Sequence, residues 1–329
     1  MKKINGIAIF LLVIISFTLY SCFMSRTKII IPLPGKIAVN VEDSLFIFDN
    51  SNIYTSNFKI RDDEHIEYSG FQWINKNDIF IGVEYIKNDT TGITQGNVVC
   101  FNLNGNIVRR LYESQKGEIA GYSILSRNDK HLLFTVQKKG DINQNLLAGL
   151  NGEQSIVILD FENGEVIKKV ENIGTSLTLG LNESPWLYDQ NQFIYTISGE
   201  KNITLEGSKI NSIKEVKLGV YLYDILSDQK TLLIPDAHLG ISCPTDHYIA
   251  YLKNQSIYVM SLKDHTAKEI YKVKSEDRVT NIHWTPDGNH IYIAYYSSGL
   301  TEEILIDLST GKEIPFYKIG HGFNPYTWK

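Results

Sequence analysis

Cysteine is scarce, with three in 329 residues, at Cys22, Cys100 and Cys243. No pair stands at zinc-ligand spacing, so a structural zinc module is excluded. Cys100 and Cys243 lie far apart, each inside an apolar stretch, and two buried free thiols are expected rather than a disulfide. Proline is thin too, at eight residues, and no segment beyond the first twenty shows a helical period. A Gly-x-Ser-x-Gly elbow is missing, which removes the usual hydrolase nucleophile. Basic residues are in deficit, 32 against 37 acidic ones, for a net charge of −5, and nucleic acid is excluded as a partner.

What is present begins with a leader. Lys2 and Lys3 precede an apolar run from Ile4 to about Tyr20, long enough for the core of an export signal and short for a spanning helix. The run ends Leu19-Tyr20-Ser21-Cys22, which resembles the bacterial lipobox, and that resemblance implies lipidation at Cys22 after removal of residues 1–21. Processing there leaves 30 basic against 37 acidic residues, a net charge of −7. The mature chain is then expected outside the cytoplasm, held to the membrane by its N-terminal lipid. In a Gram-negative cell that means the outer membrane or periplasm, in a Gram-positive cell the outer face of the cell membrane. Residues 22–35 form a short tether, and 36–329 form one domain.

That domain is repetitive. A short β-type segment, a polar turn and a second apolar strand recur, most sharply in Trp284-Thr285-Pro286-Asp287-Gly288-Asn289-His290-Ile291-Tyr292-Ile293. A period of about 40 to 60 residues means stacked units that cannot bury their own faces alone. Trp284 and Ile291 set a frame of seven, followed by Leu125 with Leu132, Trp186 with Phe193 and Ser242 with Ile249; Trp73 with Ile79 is expected to be one residue shorter. A third strand, a tight turn and a fourth strand complete each unit, as in Ile156–Asp160, Asn163-Gly164 and Val166-Ile167. Second strands such as Ile291–Tyr295 are nearly continuous in apolar character, the mark of strands covered on both faces.

The first unit opens with what look like second and third strands, Lys36–Asn40 and Leu45–Asp49, while the chain ends in a leading strand around Asn324–Lys329. The two deficits cancel if the C-terminal strand joins the first blade. The expected fold is therefore all-β: a six-bladed β-propeller of four-stranded antiparallel blades, closed by the C-terminal strand. The blades fall at about 36–60 with 323–329, then 68–115, 119–172, 183–235, 240–274 and 279–320. Trp284 through Gly288 resembles the Trp-Ser/Thr-Pro-Asp-Gly repeat of the TolB-like β-propeller family, with Cys243-Pro244-Thr245-Asp246 a partial match. The resemblance implies a six-bladed ring in the bacterial envelope, here without the α/β domain that precedes the propeller in TolB.

In such a blade, the loops from second to third strand share one face with the connections between blades. Long insertions are expected there at Tyr85–Gly96, Lys138–Glu153 and Gly199–Gly219, with the last able to hide an extra hairpin. The candidate binding face is Tyr85, the apolar Leu146, Leu147 and Leu150, and Lys201 and Lys209. Its partner would be an envelope protein, peptide or glycan, bound without enzymatic turnover or cofactor by a chain expected to be monomeric. Around the channel mouth His65, His238 and His321 suggest the alternative, a divalent metal serving a lyase or hydrolase acting on a polysaccharide or peptide. His131, His247, His283 and His290 lie in or beside strand turns and are expected to be structural.

Overall fold

The computed structural model describes residues 36–41, 44–49, 53–59, 65–74, 79–88, 92–102, 104–115, 117–138, 154–171, 177–178, 185–187, 191–197, 201–206, 209–245, 247–274, 277–285, 287–298, 300–315 and 325–328. Every regular element among them is a β-strand. The leader, Cys22 and the tether lie outside the described residues.

The strands run in antiparallel meanders. The first holds β1 (Lys36–Val41), β2 (Ser44–Asp49) and β3 (Ile53–Lys59). Next come β4 (Ile66–Ile74), β5 (Ile79–Asn88), β6 (Gly92–Asn102) and β7 (Ile107–Tyr112), then β8 (Glu118–Leu125), β9 (His131–Lys138), β10 (Gln154–Asp160) and β11 (Val166–Val170). These two meanders touch through one parallel bridge, Gly96 to Ile119, where a Cβ on Gly96 would stand 2.9 Å from the backbone of Ala120. A third sheet comprises β12 (Leu177–Thr178) and β13 (Gln192–Ile197), with β16 (Gly219–Asp224) and β17 (Gln229–Pro235); between its two halves the chain forms the separate hairpin of β14 (Lys201–Glu206) and β15 (Lys209–Glu215). Two further sheets follow, β18 (His238–Ser242), β19 (Tyr248–Lys253), β20 (Ser256–Ser261) and β21 (Ala267–Lys272), and β22 (Arg278–Trp284), β23 (His290–Ser297), β24 (Leu300–Asp307) and β25 (Glu313–Pro315). The last strand, β26 (Pro325–Trp328), pairs antiparallel with β1 as that sheet's outer member.

The frame of seven is a register rule. Leu125 pairs with Leu132, Trp186 with Phe193, Ser242 with Ile249 and Trp284 with Ile291. The shorter spacing expected at Trp73 is corrected: Trp73 pairs with Phe80, again seven residues on, and Ile79 pairs with Ile74. Four-residue turns impose this spacing, and in two of them a hydroxyl holds the turn. In the turn after Trp284, Thr285 N donates to the His290 carbonyl at 3.0 Å, and His290 N to the Thr285 hydroxyl at 3.0 Å. Ser126 repeats both bonds with His131, at 2.7 and 2.8 Å. The turn ends in the left-handed region, which Gly288 (φ 69°) enters freely and Asp129 (φ 56°) takes in its place.

Covering on both faces follows from strand alternation. Leu132 and Phe134 point into a core shared with the β4–β7 sheet, whereas Leu133 between them points into the core shared with β13 and β16. Likewise Phe193, Tyr195 and Ile197 face one neighbour and Ile194 the other. The leading strands are also pinned to one another. Trp186 Nε1 donates to the Ile124 carbonyl at 3.3 Å, the Ser242 hydroxyl to the Trp186 carbonyl at 2.9 Å, and Trp284 Nε1 to the Ile241 carbonyl at 3.4 Å. In these three repeats the frame residue holds the repeat before it. Arg127, in the turn after β8, reaches further and donates to the Cys243 carbonyl. Cys100 and Cys243 are buried free thiols, and burial pushes Cys100 up to about 11.

The expected loop at Tyr85–Gly96 is likewise corrected. Tyr85 pairs with Gly96 and Ile86 with Gln95, so β5 and β6 continue as a long hairpin to the Asn88–Gly92 pair. The backbone ladder continues there where a shorter blade would turn, and Lys87 pairs with Ile93 after a register slip.

Candidate functional site

Four of the leading strands bulge near their midpoints. Register slips between Ser69 and Gln72 in β4, Ala120 and Ser123 in β8, His238 and Ile241 in β18, and Val279 and Asn281 in β22. An extra residue re-aims the side chains beside it. In β18 the bulge is forced by close packing: a Cβ on Gly240 would lie 2.6 Å from Val220, and Gly240 N donates to the Thr196 hydroxyl at 3.1 Å. Leu239 before it is held at φ 51°, a conformation a leucine rarely adopts.

Beside this bulge a cleft of about 520 Å³ opens between the starts of β18 and β22. Its polar groups are His238, Arg278, Gln255, Thr196 and Thr280; its apolar wall is Leu239, Leu252, Val279 and Tyr296. Four structural elements supply the polar side chains: β13, β18, β22 and the turn between β19 and β20. His238 and Arg278 are the first residues of their strands and pair with the ends of the second strands, at Leu252 and Tyr296. Gln255 sits in the two-residue turn Asn254-Gln255, where both residues have positive φ, 51° and 64°, as a hairpin turn matched to strand twist demands. Arg278 is exposed and makes no ion pair with another described residue, and Tyr296 is half exposed at 50%. The arrangement offers a guanidinium, an imidazole and an amide beside an aliphatic wall, a combination suited to holding an anionic group attached to an apolar one.

By connectivity this cleft opens on the side where second strands end and third strands begin. The β5–β6 extension and the β14–β15 hairpin spring from that same side. Lys201 is in register with Glu215 and Lys209 with Glu206 across the hairpin. Ile203 is in register with Ile213 and Leu205 with Ile210, with a register slip between Thr204 and Leu205. Tyr85 lies half buried in β5 opposite Gly96. Leu146, Leu147 and Leu150 lie outside the described residues, as does His321. Of the metal candidates, His238 lines the cleft, and His65 is exposed just ahead of β4, accepting a bond from Lys87 N at its carbonyl. Among the described residues no group of three or more His, Cys, Asp or Glu side chains is gathered for a metal ion. His283 is fully buried against Tyr292, and burial pushes its imidazole down to about 3.

Arg278, Gln255 and Tyr296 were not legible as site residues from the sequence. Arg278 occupies the same repeat position as His238, the first pair of its sheet, but the bulges change the count back from the frame residue, four for His238 and six for Arg278, and conceal the equivalence. A larger cleft of about 840 Å³ lies on the opposite side, between the tight turns of the last two sheets. Its carboxylates are spent on those turns: Asp264 accepts from the Thr266 amide and hydroxyl, and Asp307 from the amides of Ser309 and Thr310.

No protein-family profile matches this sequence, and no curated protein does either. Solved structures do match. TolB from Acinetobacter baumannii superposes with a TM-score of 0.59 at 14% identity, over 89% of this chain and 66% of that one. An oligogalacturonate lyase in complex with manganese follows at 0.58 and 11%, over 85% and 73%, and a puromycin-hydrolysing peptidase of Mycobacterium tuberculosis at 0.56 and 11%, over 85% and 44%. The chain thus spans less than two thirds of the TolB and under half of the peptidase. At these identities the likeness establishes a fold and nothing finer: the chain is an all-β, antiparallel β-propeller of the TolB-like kind.

Proposed function

We propose that this chain is a non-enzymatic, envelope-anchored lipoprotein whose propeller presents one face to a protein, peptide or glycan partner. On this reading the four-stranded units number six, the pairing of β26 with β1 closes the ring, and lipid on Cys22 holds a monomer at the membrane surface. The observation that carries it is the one-sided placement of the extra structure. The β14–β15 hairpin and the lengthened β5–β6 hairpin both rise from the side on which the Arg278 cleft opens. A two-stranded ribbon is marginal by itself, so an inserted hairpin is better explained as a contact element than as decoration. The rigid ring beneath it lowers the ordering that binding would require.

The test compares the full-length chain in its membrane with a variant in which Lys201–Glu215 is replaced by a tight turn. Chemical crosslinking that captures one defined partner with the parent chain and loses it with the variant supports the platform. Equal capture by both, or none by either, overturns it. Stoichiometric manganese or zinc lost on His65→Ala and His238→Ala would instead establish the metal-dependent lyase or hydrolase reading.

A further inference from the structure

We propose that the cleft between the openings of β18 and β22 captures the C-terminal carboxylate of a peptide whose last side chain is aliphatic. The inference rests on the platform reading and names what that face recognises. Arg278 is the anchor: a guanidinium presents a planar fork that matches a carboxylate in two parallel bonds. In most surface pairs such an arginine already holds an acid. Here it is exposed at the mouth of a cleft, and its side chain makes no ion pair with a described residue. The carboxylates nearest to it and to His238 in sequence, Asp277 and Asp236, do not line the cleft, and Asp277 is 5% exposed.

The wall beside the arginine decides the ligand class. Leu239 and Leu252 are partly buried against the aliphatic core that Val279 belongs to, and their remaining surface faces the cleft. Three aliphatic side chains next to a cation suit a terminal leucine, isoleucine or valine, whose carboxylate and side chain leave the same Cα. A uronate sugar carries a carboxylate too, but its ring calls for aromatic faces and a dense set of hydroxyl partners, and Tyr296 is the single aromatic side chain lining this cleft. The volume of about 520 Å³ admits a terminal residue and its predecessor. Gln255 is placed to bond the last peptide group. The strained Leu239 and the Gly240–Val220 contact fix the wall before any ligand arrives.

The experiment immobilises the full-length chain in detergent and passes over it a pool of random hexapeptides with free C-termini, the same pool amidated, and oligogalacturonate. Retained species are read by mass spectrometry. The expected result is at least tenfold preference for free over amidated peptides, enrichment of leucine, isoleucine and valine at the last position, and loss of both in Arg278→Gln, with part of the preference kept by Arg278→Lys. A thermal melt of each variant confirms folding, which an exposed position leaves intact. Equal retention of free and amidated pools, or a preference that survives Arg278→Gln, overturns the proposal. Selective retention of oligogalacturonate overturns the peptide assignment. Arg278→Gln leaves the β14–β15 hairpin in place, so a partner still crosslinked by this variant shows the platform standing while the carboxylate site fails.

Discussion

Replacing Glu84 with glutamine tests whether a polar cluster in the β4–β7 sheet stabilises the fold through charge. Glu84 is 3% exposed; Arg110 forks onto its two oxygens, and Asn97 Nδ2 donates to it at 2.9 Å. Asn97 in turn accepts from Ser114 N at 3.1 Å, so the carboxylate sits at the head of a chain of bonds that crosses β5, β6 and the end of β7. Burial by itself opposes ionisation of Glu84, but the bonds from Arg110 and Asn97 outweigh it and hold the carboxyl below its ordinary range. Glutamine keeps the shape, loses the charge and turns an N–H₂ toward the guanidinium. Breaking a buried pair typically costs about 3 to 5 kcal/mol. Arg110 is 41% exposed and water takes over part of its solvation, so the expectation here is about 2 kcal/mol. The dependence on pH carries a sign. A carboxyl whose folded value lies below the unfolded value of about 4.3 contributes fully above that value and loses the contribution as pH falls through the folded one. Urea unfolding should therefore show a gap of about 2 kcal/mol between parent and variant at pH 7 that closes progressively below pH 4. A gap under about 0.5 kcal/mol at pH 7, or one unchanged down to pH 3, would refute the reasoning.

Gly288→Ala places a Cβ 2.2 Å from the Thr245 hydroxyl at a φ of 69°, and should destabilise by about 2 kcal/mol; Thr245→Ala in the same chain should recover part of that, measured by thermal melts. Trp284→Phe removes the bond to the Ile241 carbonyl and leaves a void beside it, for about 2 kcal/mol in urea, whereas a loss under about 0.5 would mean that the frame tryptophan does not pin neighbouring blades. His283, buried and pushed down to about 3, is neutral when folded and takes up a proton only on unfolding below about 6.5; stability should fall by about 1.4 kcal/mol per pH unit under that value, and His283→Asn should flatten this part of the profile whatever it does at pH 7.

The period-two strands, the seven-residue frame and the Asn-Gly and Thr-Gly turns were all readable because each depends on residues a few places apart. Gly105, Gly164 and Gly311 take the positive φ those dipeptides announce. The extra hairpin in the inserted stretch was within reach for the same reason: Gly207-Ser208 divides two short runs, and they pair as β14 and β15. Tyr85–Gly96 misled because its polar residues and its two glycines look like a loop, whereas backbone pairing carries the hairpin on to Asn88 and Gly92 and needs no apolar side chain to do so.

Sequence alone determined the class of the fold, the period of the repeat and the partner strands within each sheet, since these follow from hydrophobic alternation and turn chemistry acting over one unit. Tertiary structure decided which repeats face one another and what their edges bring together. His238 and Arg278 stand 40 positions apart and reach one cleft because two leading strands start side by side. Arg127 finds the carbonyl of Cys243 across 116 positions for a related reason. A curved stack of near-identical units brings equivalent strand ends together, and the offset of each end is set by bulges that depend on packing against the neighbouring sheet, a contact that no local run of residues encodes.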